Sequence, residues 1–384
     1  MEDAIIKNKP ERLYFIDNIR VFLTIMVVMF HFAIIYQGKV FFFYSEPSED
    51  TLSNMLLAAF KMFNQIYFMG LFFFISGYFT PGSVKRKGAF NFIKERTINF
   101  SIPILLYIFI LGPFTMIAMS NLPVRWTDIT ATVTYSQYFT DKTYETIWLG
   151  QIWFIIMLLL YNTIYALFHE LRKKSEHNPV NNKLPKFITI VLFTLCIAIG
   201  CYVVMIFIPT PNTVVGFPSL FFLPQYIAFF AAGTMAGRGD WLRKIPDKYG
   251  IIGLITVVIS TAILLPVFIG TAILQVPFII GHGTFSSAVF ALWSNIYAVG
   301  FSLFLIVCFR KLFNYQNKFT KFLQAQSFGV YVFHASIISF VAILLHRITV
   351  NHFVKFLFAS LIGVSLSYII SWVIRKIPYA NKVL

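Results

Sequence analysis

The sequence predicts an all-α, polytopic membrane protein of about ten transmembrane helices with both termini in the cytoplasm, and three observations carry that prediction. The first is composition. Of 384 residues, 58% are hydrophobic and 12% are charged, about half the charged share of an ordinary soluble domain. The second is hydropathy: the mean hydropathy is +0.76, and apolar runs long enough to span a bilayer fall near 13–36, 55–79, 98–119, 147–169, 187–208, 217–237, 249–269, 285–309, 326–345 and 354–374. The third is the placement of charge. With the N-terminus inside, 24 of the 31 Lys and Arg lie in the terminal tails and the inner segments 81–97, 170–186, 238–248 and 310–325, the positive-inside pattern. The net charge of +16 is therefore topological and does not point to nucleic acid.

The first span, 13–36, follows a short basic tail and is too long for a signal-peptide core, so it reads as retained. It carries Asp17, Arg20 and His31, each costly in hydrocarbon. Arg20 and His31 are eleven residues apart, three turns plus about 20°, and Asp17 and His31 are fourteen apart, about 40° short of four turns. All three share one stripe, with Arg20 and His31 roughly 16 Å apart along the axis. The face thus offers a charge pair at its inner end and an imidazole further out.

In the second span, Lys61 stands near the outer end, where its stem can snorkel. That span closes in Phe73-Phe74-Ile75-Ser76-Gly77-Tyr78-Phe79 and is expected to break at Pro81-Gly82, with Ser76 and Tyr78 in a turn that shapes a cavity floor. The inner segment 81–97 holds Lys85, Arg86, Lys87, Lys94 and Arg96. It reads either as a positive-inside anchor or as a phosphate site, because arginine supplies forked donors to phosphate oxygens. The third span is entered at Ile102-Pro103. The outer loop 120–146 carries Trp126, Tyr135, Tyr138, Phe139 and Tyr144, either an interfacial belt or a platform for a sugar ring. The fourth span opens with Gly150-Gln151-Ile152-Trp153-Phe154, and the inner loop 170–186, with Asn178-Pro179 and Asn181-Asn182, reads as flexible. Spans five to eight have few polar landmarks. The ninth holds Gln326-Ser327-Phe328-Gly329-Val330-Tyr331-Val332-Phe333-His334, so His334 is a second intramembrane histidine, either part of a site or a satisfied core residue. The chain closes with Arg375-Lys376-Ile377-Pro378 after the tenth span. Cys196, Cys201 and Cys308 have neither metal-ligand nor disulfide spacing. Residues 1–384 read as one membrane domain.

Two absences narrow the chemistry. Of fifteen Asp and Glu, only Asp17 falls in a span, which disfavours a coupled transporter built on embedded carboxylates. Nor is there a filter-like glycine loop or an arginine ladder. What remains is two intramembrane histidines with arginines at the cytoplasmic mouth and no metal motif. A neutral imidazole can take a proton from a hydroxyl as it attacks a thioester, and the arginines suit the phosphates of an acyl-CoA donor.

The series Arg12, Ile16-Asp17-Asn18-Ile19-Arg20, Val27-Val28-Met29-Phe30-His31, Phe73 to Ser83, Lys87-Gly88 with Phe92 and Arg96, Trp153-Phe154, Ser327 to His334 and Arg375-Ile377-Pro378 resembles the acyltransferase family 3 membrane proteins. It is most similar to the glucan biosynthesis succinyltransferase branch. The resemblance implies a bacterial plasma-membrane enzyme that moves an acetyl or succinyl group from cytoplasmic acetyl-CoA or succinyl-CoA to a hydroxyl of a surface or exported carbohydrate. It implies His31 as the transfer base, with Arg20 and Asp17 orienting the site or donor arm, and Arg96 with Lys85, Arg86, Lys87 and Lys94 on the donor phosphates. Trp153 and His334, with Ser76 and Tyr78, are expected around the substrate cavity. The family's second arginine, three positions after Arg96, is Asn99 here. The rival readings are a flippase for a lipid-linked saccharide, its arginines gripping a pyrophosphate, and a polysaccharide-assembly partner that keeps the fold without catalysis.

Overall fold

The structure, a computed structural model, describes residues 12–38, 42–122, 132–173, 183–209, 217, 220–273 and 281–383. Every element among them is helical, and ten helices are long and apolar enough to cross a membrane. They are α1 (Tyr14–Gln37), α2 (Thr51–Lys87), α3 (Ala89–Ser120), α4 (Trp153–Lys173) and α5 (Phe187–Phe207). They continue as α6 (Leu223–Gly239), α7 (Asp247–Ile273), α8 (Phe285–Leu312), α9 (Lys318–Leu344) and α10 (His352–Ile374). All ten fall where the hydropathy placed a span. Trp126 and the Asn178-Pro179 and Asn181-Asn182 pairs of the inner loop lie outside the described residues.

Helix α1 is the post around which the bundle is built, packed by α2, α8, α9 and α10. Its start is tied down by buried Asn18, which donates to the carbonyls of Phe313 (2.6 Å) and Tyr315 (3.0 Å) and accepts from Gln324 (2.8 Å). Its end is set by Gly38 in the left-handed region, whose N–H returns to the Ile34 carbonyl at 3.0 Å. Helix α2 begins at a side-chain cap. Asp50 accepts from the N–H groups of Leu52 (3.2 Å) and Ser53 (2.9 Å), and the bonds from Ser53, reinforced by Asn351, hold its carboxyl below the usual range.

Three expectations are corrected. The break at Pro81-Gly82 is absent: α2 runs through the proline to Lys87. Proline removes one rung of the helical ladder, but α2 is held along this stretch by α6. A Cβ on Gly233 or Gly237 would lie 2.1 Å from the carbonyl oxygen of Phe74 or Tyr78, and one on Gly77 would lie 2.3 Å from that of Phe230. The two backbones touch through a small-residue seam, and Ser76 and Tyr78 occupy helical rungs, not a turn. The chain reverses instead at Gly88, φ +79°, so the basic segment 81–97 is two helix ends with one turning residue between them, not a loop.

Lys355, inside the tenth span, lies on α10 and is 2% exposed, its ammonium 2.5 Å from Glu46. The outer aromatics also pack inward. Tyr138 is fully buried and stacks on Tyr144 (6.3 Å between centroids), while Trp148 donates to the Tyr138 carbonyl at 2.6 Å. They form a wall behind Ile147 and Tyr107, more than a belt toward lipid; Tyr135 alone among these described residues stands half exposed.

Candidate active site

The stripe on α1 is real, and the structure divides it between two cavities. Arg12, Leu13, Asp17, Arg20 and Thr24 line a cavity of about 1120 Å³ that also takes in Val383, so it lies at the end of the bundle where α1 starts and the described chain finishes. One turn further on, Val27, Phe30, His31 and Ile34 line a second cavity of about 460 Å³ toward the opposite end. The face is continuous; the space in front of it is not.

The larger cavity is basic. Four guanidinium groups enter its wall: Arg12 and Arg20 at the start of α1, Arg96 from α3, and Arg243 just after α6. Against them stand two carboxylates. Asp17 is paired with Arg12 at 2.9 Å and lies 3.9 Å from Arg20; Asp240 accepts from Tyr78 Oη at 2.7 Å and lies 3.5 Å from Arg243. The excess of positive charge leaves forked N–H donors for an anion with several oxygens, the geometry guanidinium shares with phosphate. The Arg96 guanidinium carbon lies 5.4 Å from the ring centroids of both Phe92 and Phe100, within cation–π range.

The smaller cavity holds an imidazole in a defined tautomer. His334 Nδ1 lies 2.8 Å from the Tyr331 carbonyl and His31 Nδ1 lies 2.8 Å from the Val27 carbonyl. A carbonyl only accepts, so both Nδ1 atoms carry the proton; this is an assignment from the network. His334 Nε2 is then a bare acceptor, 3.3 Å from His31 Nδ1. One N–H of His31 is shared between a carbonyl and a second imidazole, and its Nε2 lone pair is left as a base at the cavity. His334 does not line that cavity: it is fully buried behind His31.

A thin partition separates the two spaces. Tyr331 belongs to both linings; Trp153 faces the smaller cavity and Phe154 the larger. Tyr331 Oη donates to the Gln151 carbonyl, Gln151 Nε2 donates to the Val332 carbonyl at 3.0 Å, and the Phe154 and Tyr331 rings sit 5.8 Å apart. Tyr107, which opens a π-helical turn in α3, backs the smaller cavity, a distortion frequent at functional sites.

The structure therefore brings Asp17, Arg20, Arg96, Ser76 and Tyr78 together in one cavity and His31 and Trp153 in the other. It does not bring Lys85, Arg86 or Lys94 there: they are exposed outside both linings, and Lys87 pairs with Glu95 at 2.5 Å. Asn99 lines the larger cavity beside Arg96. Sequence reasoning missed Arg243, which looks like any other cation of a basic inner segment. It also missed Tyr331, although the residue stands three positions before His334 in the same motif.

Residues 13–375 match the model of a family described as an acyltransferase domain. The chain is 27% identical over 232 residues to glucans biosynthesis protein C of Escherichia coli (strain K12). It is 28% identical over 233 residues to the proteins of that name in Escherichia coli O157:H7 and Shigella dysenteriae serotype 1 (strain Sd197). These alignments cover 59% of this chain and 58% of each relative's length. No solved structure matches.

Proposed function

The chain belongs to this acyltransferase family, and from that premise we propose that it carries an acetyl or succinyl group from cytoplasmic acyl-CoA, docked in the larger cavity, to a hydroxyl of a surface or exported carbohydrate in the smaller one. The termini and the basic cavity then lie on the cytoplasmic side of a bacterial plasma membrane, in keeping with the distribution of Lys and Arg. The observation that carries the reading is the division of one helix face between a cavity of arginines and a cavity with a histidine base, meeting at Tyr331.

In this reading the nucleotide phosphates rest on Arg12, Arg20, Arg96 and Arg243, with Asp17 and Asp240 fixing the forks. The arginine absent at Asn99 has a counterpart in Arg243, supplied by a different element to the same wall. The donor arm follows α1 past Thr24 and the Tyr331 partition, bringing the thioester to His31. His31 Nε2 takes the proton of the acceptor hydroxyl as its oxygen attacks the thioester carbonyl. Collapse of the tetrahedral intermediate expels the CoA thiolate, which recovers the proton from the imidazolium, and ester and thiol are the products. His334 Nε2 accepts from His31 Nδ1–H throughout, a hydrogen bond that strengthens as positive charge develops on His31.

Coenzyme A is expected to protect the purified protein against heat, by about 2.7 kcal/mol at a hundred times its dissociation constant. Arg96→Ala and Arg243→Ala are each expected to require more ligand for the same shift. Protection by a polyprenyl pyrophosphate with none by coenzyme A would remove the donor assignment and favour the flippase reading.

A further inference from the structure

The wall of the smaller cavity contains one feature that the transfer chemistry above leaves unused. Lys61 of α2 lines it together with His31, Gln37 and Gln65. Among the described residues this lining holds no Asp or Glu, and the Lys61 ammonium has no hydrogen-bond or ion-pair partner. The nearest outer acid in sequence to α2's start that is buried, Glu46, is already committed to Lys355 at 2.5 Å. A snorkelling lysine needs only a water interface, whereas Lys61 is ten residues inside α2 and faces a cavity.

Its position along the route is also defined. Phe68 packs against Phe30 at 5.3 Å, and Phe30 against His31 at 5.4 Å, so Phe68 marks the level of the imidazole. Lys61 precedes Phe68 by seven residues, about 10 Å along the axis toward the start of α2, where Gln37 reaches the Asn54 carbonyl. A group approaching His31 from that end passes the ammonium. Gln65, one turn from Lys61 on the same face, is only loosely engaged, its amide nitrogen 3.5 Å from Tyr226 Oη, and Gln37 is held no more tightly (3.5 Å). Both amides can turn to donate to an oxyanion beside the lysine.

We propose that Lys61, with Gln65 and Gln37, makes the smaller cavity an anion-recognition site that holds a carboxylate or phosphate monoanion carried by one of the two reactants beside His31. This rests on the acyltransferase reading. The anion has two possible bearers: the far end of a dicarboxylic acyl chain, or an acidic group on the acceptor. In a wall of low dielectric an uncompensated ammonium is costly and its attraction for an entering anion is strong. The site therefore selects by charge rather than by shape.

The test is steady-state transfer by the full chain in membranes, comparing wild type, Lys61→Met and Lys61→Arg. Donors are acetyl-CoA and succinyl-CoA, and acceptors are a neutral oligoglucoside and one bearing glucuronate. With the charged reactant, kcat/KM is expected to fall at least about 30-fold in Lys61→Met and to be largely restored in Lys61→Arg, while the wholly neutral pair changes less than about threefold. A penalty that follows succinyl-CoA assigns the anion to the acyl chain; one that follows glucuronate assigns it to the acceptor. Equal losses on all pairs, or none on any, overturn the proposal. Heat stability gives a readout apart from turnover: succinate or glucuronate is expected to stabilise wild type and Lys61→Arg but not Lys61→Met. If wild type transfers nothing, the function proposed above fails by itself, and this shift, present or absent, decides the anion site.

Discussion

His31→Ala is expected to abolish acyl transfer, lowering kcat by about 10²–10⁴-fold at matched protein levels, measured as label passing from acetyl- or succinyl-CoA to envelope glycan. The size of the effect follows from what the substitution removes. His31 Nε2 is the one basic lone pair that the network leaves at the smaller cavity, because both Nδ1 atoms are turned to carbonyls. Without it, the hydroxyl must attack as a neutral oxygen with no acceptor for its proton. Coenzyme A binding is expected to survive, since no arginine of the larger cavity touches the imidazole, so the heat protection of His31→Ala should match wild type. His334→Ala is expected to be milder: it deletes the acceptor behind His31 Nδ1 but leaves the Val27 carbonyl in place. Its loss should appear in kcat more than in KM, with a shifted pH profile. Transfer by His31→Ala equal to wild type would reduce the histidine to a packing residue and end the mechanism.

The parts of this arrangement that could be read from the sequence are those set within one helix. Ten spans follow from apolar runs, and the shared stripe of Asp17, Arg20 and His31 follows from a period of 3.6 residues. The parts that could not be read are those made between helices. Hydropathy cannot say that a partition will cross the stripe between Thr24 and Val27, because Tyr331 and Phe154 come from α9 and α4. Local rules stop a helix at Pro81, and they take no account of the backbone contact that Gly233 and Gly237 make with α2 at Phe74 and Tyr78, in the turns before it. The resemblance put Lys85 to Lys87 on the donor phosphates, yet those side chains are outside both cavity linings while Arg243, from a segment more than 150 residues later, reaches the larger cavity. The same blindness hid Lys61, for which snorkelling is the economical reading until a cavity is seen in front of it.

Lys355→Met is expected to cost about 3–5 kcal/mol of stability, read as the concentration-independent loss of folded protein on heating. The ion pair it breaks is buried on both sides, with Lys355 2% and Glu46 7% exposed, and each partner is tied further. Lys355 Nζ donates to the His346 carbonyl at 3.2 Å, and Tyr44 Oη donates to Glu46 Oε2 at 3.2 Å while lying 2.9 Å from His346 Nδ1. Burial and the neighbouring Glu46 push the Tyr44 phenol above its ordinary pKa, so this donor persists well into alkaline pH. Removing the ammonium alone leaves a buried carboxylate without its lysine, beside the rings of His346 (3.9 Å) and His352 (3.7 Å), which is why the single variant should be worse than Glu46→Gln with Lys355→Met together. The consequence reaches the transfer site. The pair pins residues 42–50 over the end of α1, and Phe42 in that stretch stands 5.7 Å from the His31 ring and lines its cavity. Lys355→Met should therefore lower transfer even below its melting temperature, and the double variant should recover part of both losses. If the double variant is no more stable than the single, the Glu46 charge is not what the lysine offsets, and the strap over His31 is held by packing alone.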